Sequence, residues 1–231
     1  GAAQGAAGSG TSIGLGDSFD AAGGTADKLT LTLANGANAF NNAVSPVLNG
    51  LEVLEIRSTG AILNTASLTG IAPLVNTLIF DASSRSATVD NVTPLVSTFG
   101  VTNMAAATGM TMTVNTQAGL LTGTTDAAAL NVSGNAGSAA ADTTFTIATV
   151  AAAEGYEILN INSTGTASRL EAITVTSNAA DNLNTINVTG TADLRVDTAL
   201  AFKAGGVDTL NAQNFAGNLN VGLSLVAANN M

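Results

Sequence analysis

Short runs in which apolar residues alternate with Thr, Asn or Ser recur along the chain, at intervals of roughly 15 to 25 residues. Such alternation is the period-two pattern of a β-strand with one buried face. Gly, Asn, Asp and Ser cluster between the runs, as turns require. The pattern predicts an all-β chain with strands at 29–33, 51–56, 77–80, 111–114, 129–132, 145–147, 156–161, 172–175, 183–188, 207–211 and 219–223.

The chain also contains a repeat that is longer than the spacing between predicted strands. LEVLEIRSTG (51–60) returns as YEILNINSTG (156–165), 105 residues later, with six of ten positions identical. Upstream, 26–34 resembles 141–149, and downstream 74–80 resembles 182–188. Self-similarity at a fixed spacing is typical of repeat architectures. We expect an N-terminal linker and acidic turn region (1–25), a first β repeat unit (26–136) and a second β repeat unit (137–231).

The available side chains favour stacked coils over a globular core. Apolar residues make up 46% of the chain, but aromatic residues only 3%. The interior must therefore be built from small and β-branched side chains, which suit thin, regular layers. We predict a β-solenoid, similar to a parallel β-helix and built from stacked short strands, in two duplicated halves. A pair of strand-rich sandwiches is the alternative.

Charge and residue usage exclude several function classes. Six Lys and Arg stand against sixteen Asp and Glu, a net charge of −10. With no basic stripe and few aromatics, nucleic acid is not an expected partner. No apolar run reaches the roughly 18 residues of a membrane span, so no membrane insertion is expected. Absence of Cys and His leaves oxygen ligands for any metal, which points to calcium before zinc.

Three segments place Asp just before a predicted strand and can be compared with calcium-binding nonapeptide repeats, G-G-x-G-x-D-x-U-x. AGGTADKLT fits through Gly23, Asp27 and Leu29, and KAGGVDTLN fits through Gly206, Asp208 and Leu210. GSAAADTTF keeps only a glycine and its aspartate, and GDSFD adds two acids near Asp27. The alternative interpretation is a turn before a strand. The candidate metal ligands are Asp17, Asp20, Asp27, Asp142 and Asp208.

No catalytic or organic cofactor site is predicted. Glu52 and Glu55 could suggest an acid–base pair, but their odd separation in a strand favours a solvated or turn-capping role. No G-x-S-x-G, phosphate-binding loop or dinucleotide fingerprint is present. Four Asn-x-Ser/Thr triplets are interpreted as strand residues and not as glycan sites, at Asn91, Asn131, Asn162 and Asn187.

The two motif-bearing stretches together resemble type I-secreted, calcium-binding bacterial surface proteins, which include surface-layer (S-layer) proteins and large adhesins of the repeats-in-toxin kind. The first stretch is similar through Gly16, Asp17, Asp20, Gly23, Gly24, Asp27 and Leu29. The second is similar through Glu52, Val53, Leu54, Ile56, Ser58, Thr59 and Gly60, and again through Glu157, Leu159, Asn160, Ile161, Ser163, Thr164 and Gly165. The resemblance implies a solenoid subunit that assembles with calcium.

The sequence therefore predicts a structural, self-assembling protein of the bacterial cell surface, and not an enzyme. We expect an extracellular homo-oligomer, in a lattice or filament, with calcium bridging acidic loops and with cell-surface polysaccharide as a further candidate partner. An adhesin stalk or binding module is the alternative. A polysaccharide lyase or hydrolase is the third, although the cleft of acids and bases that it needs is not evident. Residues 1–11 lack the pattern of a signal peptide, so export is expected to use a signal outside this segment.

Overall fold

The structure is a computed structural model that describes residues 2–3, 19–20, 24, 26–33, 48–59, 64–68, 74–93, 96–105, 109–119, 121–137, 142–149, 155–176, 183–201 and 209–224. Within these residues the chain forms β-strands joined by turns, and no helix occurs that could cross a membrane. The strands are β1 (Ala2–Ala3), β2 (Phe19–Asp20), β3 (Lys28–Leu33), β4 (Leu48–Asn49), β5 (Val53–Ser58), β6 (Asn64–Ser67), β7 (Thr77–Asp81), β8 (Ala87–Val92), β9 (Thr98–Thr102), β10 (Met110–Thr116), β11 (Ala127–Ser133), β12 (Thr143–Thr149), β13 (Ile158–Ser163), β14 (Ser168–Thr176), β15 (Thr185–Gly190), β16 (Leu194–Ala201), β17 (Thr209–Asn211) and β18 (Leu219–Ser224).

Successive strands alternate between two parallel sheets. The first sheet contains the nine odd-numbered strands, in the order β1 to β17. The second contains the seven even-numbered strands from β6 to β18, and β2 pairs with β4 separately. From β5 onward, each coil thus adds one strand to each of the two sheets. This confirms the predicted fold class, an all-β solenoid of stacked short strands; the division into units at 136/137 stays a prediction.

Inward-facing residues form columns that run from coil to coil. Parallel pairing places each buried residue directly beside its counterpart in the next coil, so that every apolar side chain covers the one below it. One column of the first sheet consists of residues that are each at most 5% exposed: Leu29, Leu54, Leu78, Phe99, Leu130, Ile161 and Val188. Its counterpart in the second sheet contains Ala87, Met112, Phe145, Ile173 and Leu200.

Four aromatic rings join the two sheets at the middle of the stack. Phe145 of the second sheet packs edge-on against Phe80, with centroids 6.4 Å apart, and lies 6.1 Å from Phe99. Tyr156 continues the cluster against Phe99 at 6.3 Å and donates its hydroxyl to the Val96 carbonyl at 3.2 Å. Burial, together with the charge of Asp126, raises the pKa of the Tyr156 hydroxyl. These four aromatic side chains are therefore concentrated where they can pack between the two sheets.

The repeated Ser-Thr-Gly sequence marks a corner of the coil. The Thr59 N–H donates to the Leu33 carbonyl at 2.9 Å, and the Thr164 N–H donates to the Val132 carbonyl at 3.1 Å. Gly165 follows with φ +67°, and a Cβ there would lie only 2.6 Å from the Ser133 Oγ, so glycine is favoured at this position. The threonine of the motif thus bonds to the preceding coil in the same way in both copies, and Gly60 lies outside the described residues.

The structure corrects one part of the internal alignment. The strand equivalent to β3 is β11, not β12, because β3 and β11 belong to the first sheet and β12 to the second. The equivalent sequences are GTAD (24–27) and GTTD (123–126), so the earlier match of 26–34 to 141–149 is wrong. The match of 74–80 to 182–188 holds, since both segments lead into first-sheet strands.

Polar ladders run along the outer face of the first sheet in its later coils. The Asn187 amide donates to the Asn160 Oδ1 at 2.8 Å, and Asn211 donates to the Asn187 Oδ1 at 3.4 Å. Asn162 donates to the Asn131 Oδ1 at 3.3 Å. The interpretation of these triplets as strand residues is confirmed, and Asn91 likewise lies in β8.

Candidate functional site

Three carboxylates from neighbouring coils meet on the second sheet. Asp142 lies directly before β12, Glu171 lies in β14 and Asp197 lies in β16. One oxygen from each side chain lies within 4.8 Å of the others. Asp142 is only 4% exposed, and the other two residues are half-buried. We call Asp142, Glu171 and Asp197 the acidic triad.

Register shifts in the sheet bring these residues to the same place. Strand β14 pairs Leu170 with Thr143 and Ala172 with Thr144, which leaves Glu171 without a counterpart on β12. The pairing of β16 with β14 is interrupted at Asp197 and resumes further along both strands. A β-bulge of this kind turns an extra side chain out of the regular alternation, and bulges are frequent beside functional sites. The inward column continues on both sides, so the core is not interrupted.

Two arginines neutralise much of the triad. The Arg169 Nε lies 3.0 Å from Asp142 Oδ2 and 2.6 Å from Asp197 Oδ2. Arg195 forms a second ion pair with Asp197, and the Thr198 hydroxyl contacts Glu171. Each guanidinium group therefore pairs with at least one carboxylate of the triad.

The ionisation of Asp197 reflects these contacts. Burial alone would raise the pKa of its carboxyl, but hydrogen bonds with Arg195, Asp142 and Arg169 outweigh burial and lower the pKa to about 2. The hydrogen bond to Asp197 raises the pKa of the Arg169 guanidinium, against the opposing effect of its desolvation. Both partners are therefore held in their charged forms.

The acidic triad could bind a metal ion. Its donors are all carboxylate oxygens, the ligand type that hard divalent cations prefer. Arg169 contacts two of the same carboxylates, so an ion would have to displace or share the guanidinium. The chemistry available here is ion binding or ion-pair crosslinking between coils.

An open groove of about 380 Å³ adjoins the triad. Asp193 lies at its side and accepts hydrogen bonds from the Asn218 backbone N–H at 2.7 Å and its amide at 3.0 Å, which lower the pKa of the Asp193 carboxyl. Arginine, amide and carboxylate groups line the groove and offer both donors and acceptors, from Asn135, Arg169, Asp193, Arg195, Asn218 and Asn220.

The predicted ligand Asp27 forms a turn. Its carboxylate folds back against Gly24 so closely that a Cβ at that glycine would collide with it. The equivalent Asp126 accepts the Gly123 N–H at 2.9 Å. Both turns are capped by the next coil: the Asp27 N–H donates to Glu52 at 2.9 Å, and the Asp126 N–H donates to Glu157 at 2.6 Å. The turn-capping role predicted for Glu52 is confirmed.

The five predicted metal ligands fall into different places. Asp142 is part of the acidic triad, whereas Asp27 lies in the turn before β3 and is not part of that group. Asp17 and Asp208 lie outside the described residues, and for Asp20 the description covers only its backbone in β2. Calcium binding by the five-residue set therefore stays a prediction.

Sequence reasoning missed Glu171, Asp197 and the two arginines. The predicted strand at 172–175 began after Glu171, and the β16 segment LRVDTALA was not recognised because charges interrupt its alternation. A signal was nevertheless present: charged residues are only 10% of the chain, yet both copies of an Arg-x-acid pattern, RLE and RVD, occur within thirty residues.

Comparisons with protein-family models, with curated proteins and with solved structures gave no match for this chain. The function is therefore argued from the site and the fold.

Proposed function

We propose that this chain is a structural, self-assembling subunit of a bacterial cell surface, in an S-layer or an extracellular matrix or filament. The observation that carries the proposal is the uninterrupted stack of coils: a single cluster of buried residues extends from Leu29 to Leu200 between two parallel sheets. In such a stack each coil supports the next, which gives a stiff, rod-like element. A stiff element with a repeating surface suits a lattice or filament.

The surface chemistry supports the same role. In its later coils the outer face of the first sheet carries uncharged amide ladders, for example Asn160, Asn187 and Asn211, whereas the ion pair of Lys28 and Glu55 lies on its earlier coils. Burying such a surface between subunits costs less than burying charges, because amides and hydroxyls can pair with like groups on the partner. The extracellular location and the choice of S-layer over other lattices rest on the sequence resemblance.

Calcium is the ion that we propose for the acidic triad. Only oxygen donors are present, and one of them comes from the deeply buried Asp142. When bound, calcium would crosslink three successive coils of the second sheet through Asp142, Glu171 and Asp197. Calcium binding would compete with Arg169. The affinity for calcium should therefore depend strongly on how easily the Arg169 side chain can move away from the carboxylates.

The groove beside the triad favours a second candidate function, a binding module or adhesin stalk for cell-surface polysaccharide. Its arginine, amide and carboxylate groups resemble the donors and acceptors that bind sugar hydroxyls. No aromatic residue lines the groove among the described residues, so the stacking contact common in sugar sites is missing there. The structural role therefore ranks first.

The test is negative-stain microscopy of the purified protein in millimolar calcium and then in chelator. We expect ordered sheets or filaments with calcium, and their loss or disorder in chelator. The double variant Glu171→Gln/Asp197→Asn should lose the calcium response. Asp81→Asn/Asp90→Asn, which removes two charges outside the triad, should keep it. Dispersed monomers of the wild-type protein in both conditions would contradict the proposal, and glycan binding would then be tested.

A further inference from the structure

We draw no further inference here: the strongest candidate, the column of outward-facing threonines Thr88, Thr113, Thr146 and Thr174 on the second sheet, is a bare sheet face, and nothing in the part of the chain that the structure describes shows what would cover it.

Discussion

The first sheet pairs its nine strands without a register shift, whereas four of the six pairings in the second sheet contain one. The same coils build both sheets, so the difference does not arise from the path of the chain. In the later coils of the first sheet, short polar side chains such as Asn160 and Asn187 face outward in ladders. Its earlier coils carry an outward ion pair, Lys28–Glu55, without a register shift. In the second, charged side chains cluster where the pairing shifts, at Glu171 and Asp197.

The comparison shows how a regular stack can accommodate charge. A bulge removes one or two residues from the alternation and lets pairing resume, so that Leu170 before the shift and Ile173 after it are both buried. The charged residues are therefore placed in the sheet without entering the core. The regular pairing of the first sheet makes the stack stiff, and the shifted pairing of the second sheet brings the acidic triad together.

The largest expected effect comes from removing the contact that joins the sheets. Phe145→Ala deletes a fully buried ring that touches Phe80 and Phe99 of the opposite sheet. The free energy of unfolding should fall by about 3–5 kcal/mol, measured by urea denaturation. Val221→Ala, at a partly buried position in the last coil that the structure describes, is the control and should cost about 1 kcal/mol. Equal losses would mean that the two sheets do not share one core.

A second prediction concerns the charge balance in the irregular sheet. Arg169→Met removes the guanidinium that contacts Asp142 and Asp197, so the free energy of unfolding in chelator should fall, although by less than for Phe145→Ala. Millimolar calcium should restore part of this loss if the triad binds the ion. Arg85→Met, at an exposed turn, should change stability by less than about 0.5 kcal/mol. A variant as stable as wild type would show that the ion pairs are not structural.

A smaller effect is expected in acid. Because the folded-state pKa of Asp197 is lowered from 3.8 to about 2, its ionised form contributes stability above pH 3.8. That contribution should be lost as the pH falls through about 2. Unfolding midpoints measured between these values should fall more steeply for wild type than for Asp197→Asn. Identical slopes would show that Asp197 does not couple folding to protonation.

Regular parts of the fold were predictable, and irregular parts were not. All eleven strands predicted from alternation overlap observed strands. Seven further strands were missed. Three of them, β1, β2 and β4, are only two residues long, and in the other four, β6, β8, β9 and β16, Gly100, Asp90 or other polar residues break the alternation. Long-range pairing compensates for this weak local pattern in β8, β9 and β16, since neighbours on both sides hold these strands in register.

The candidate site was predictable only in part, for a related reason. Asp142 was found because it precedes a strand, but its partners come from coils about 30 and 55 residues later. Only the bulges bring those residues beside it, and bulges leave little trace in the pattern. Asp27, with the better motif match, instead folds into a capped turn whose second copy at Asp126 the alignment had overlooked.

The smallest effect should come from the regular sheet. Asn187→Ala breaks two amide hydrogen bonds, one to Asn160 and one from Asn211, on a solvent-facing strand. Net contributions of such bonds are small because water replaces them, so the free energy of unfolding should fall by only about 1 kcal/mol. The exposed turn substitution Thr166→Ala should stay within about 0.5 kcal/mol. A loss at Asn187 as large as that of Arg169→Met would mean that the ladder stabilises the stack as strongly as the ion pairs do. Stiffness would then reside as much in the polar face as in the core.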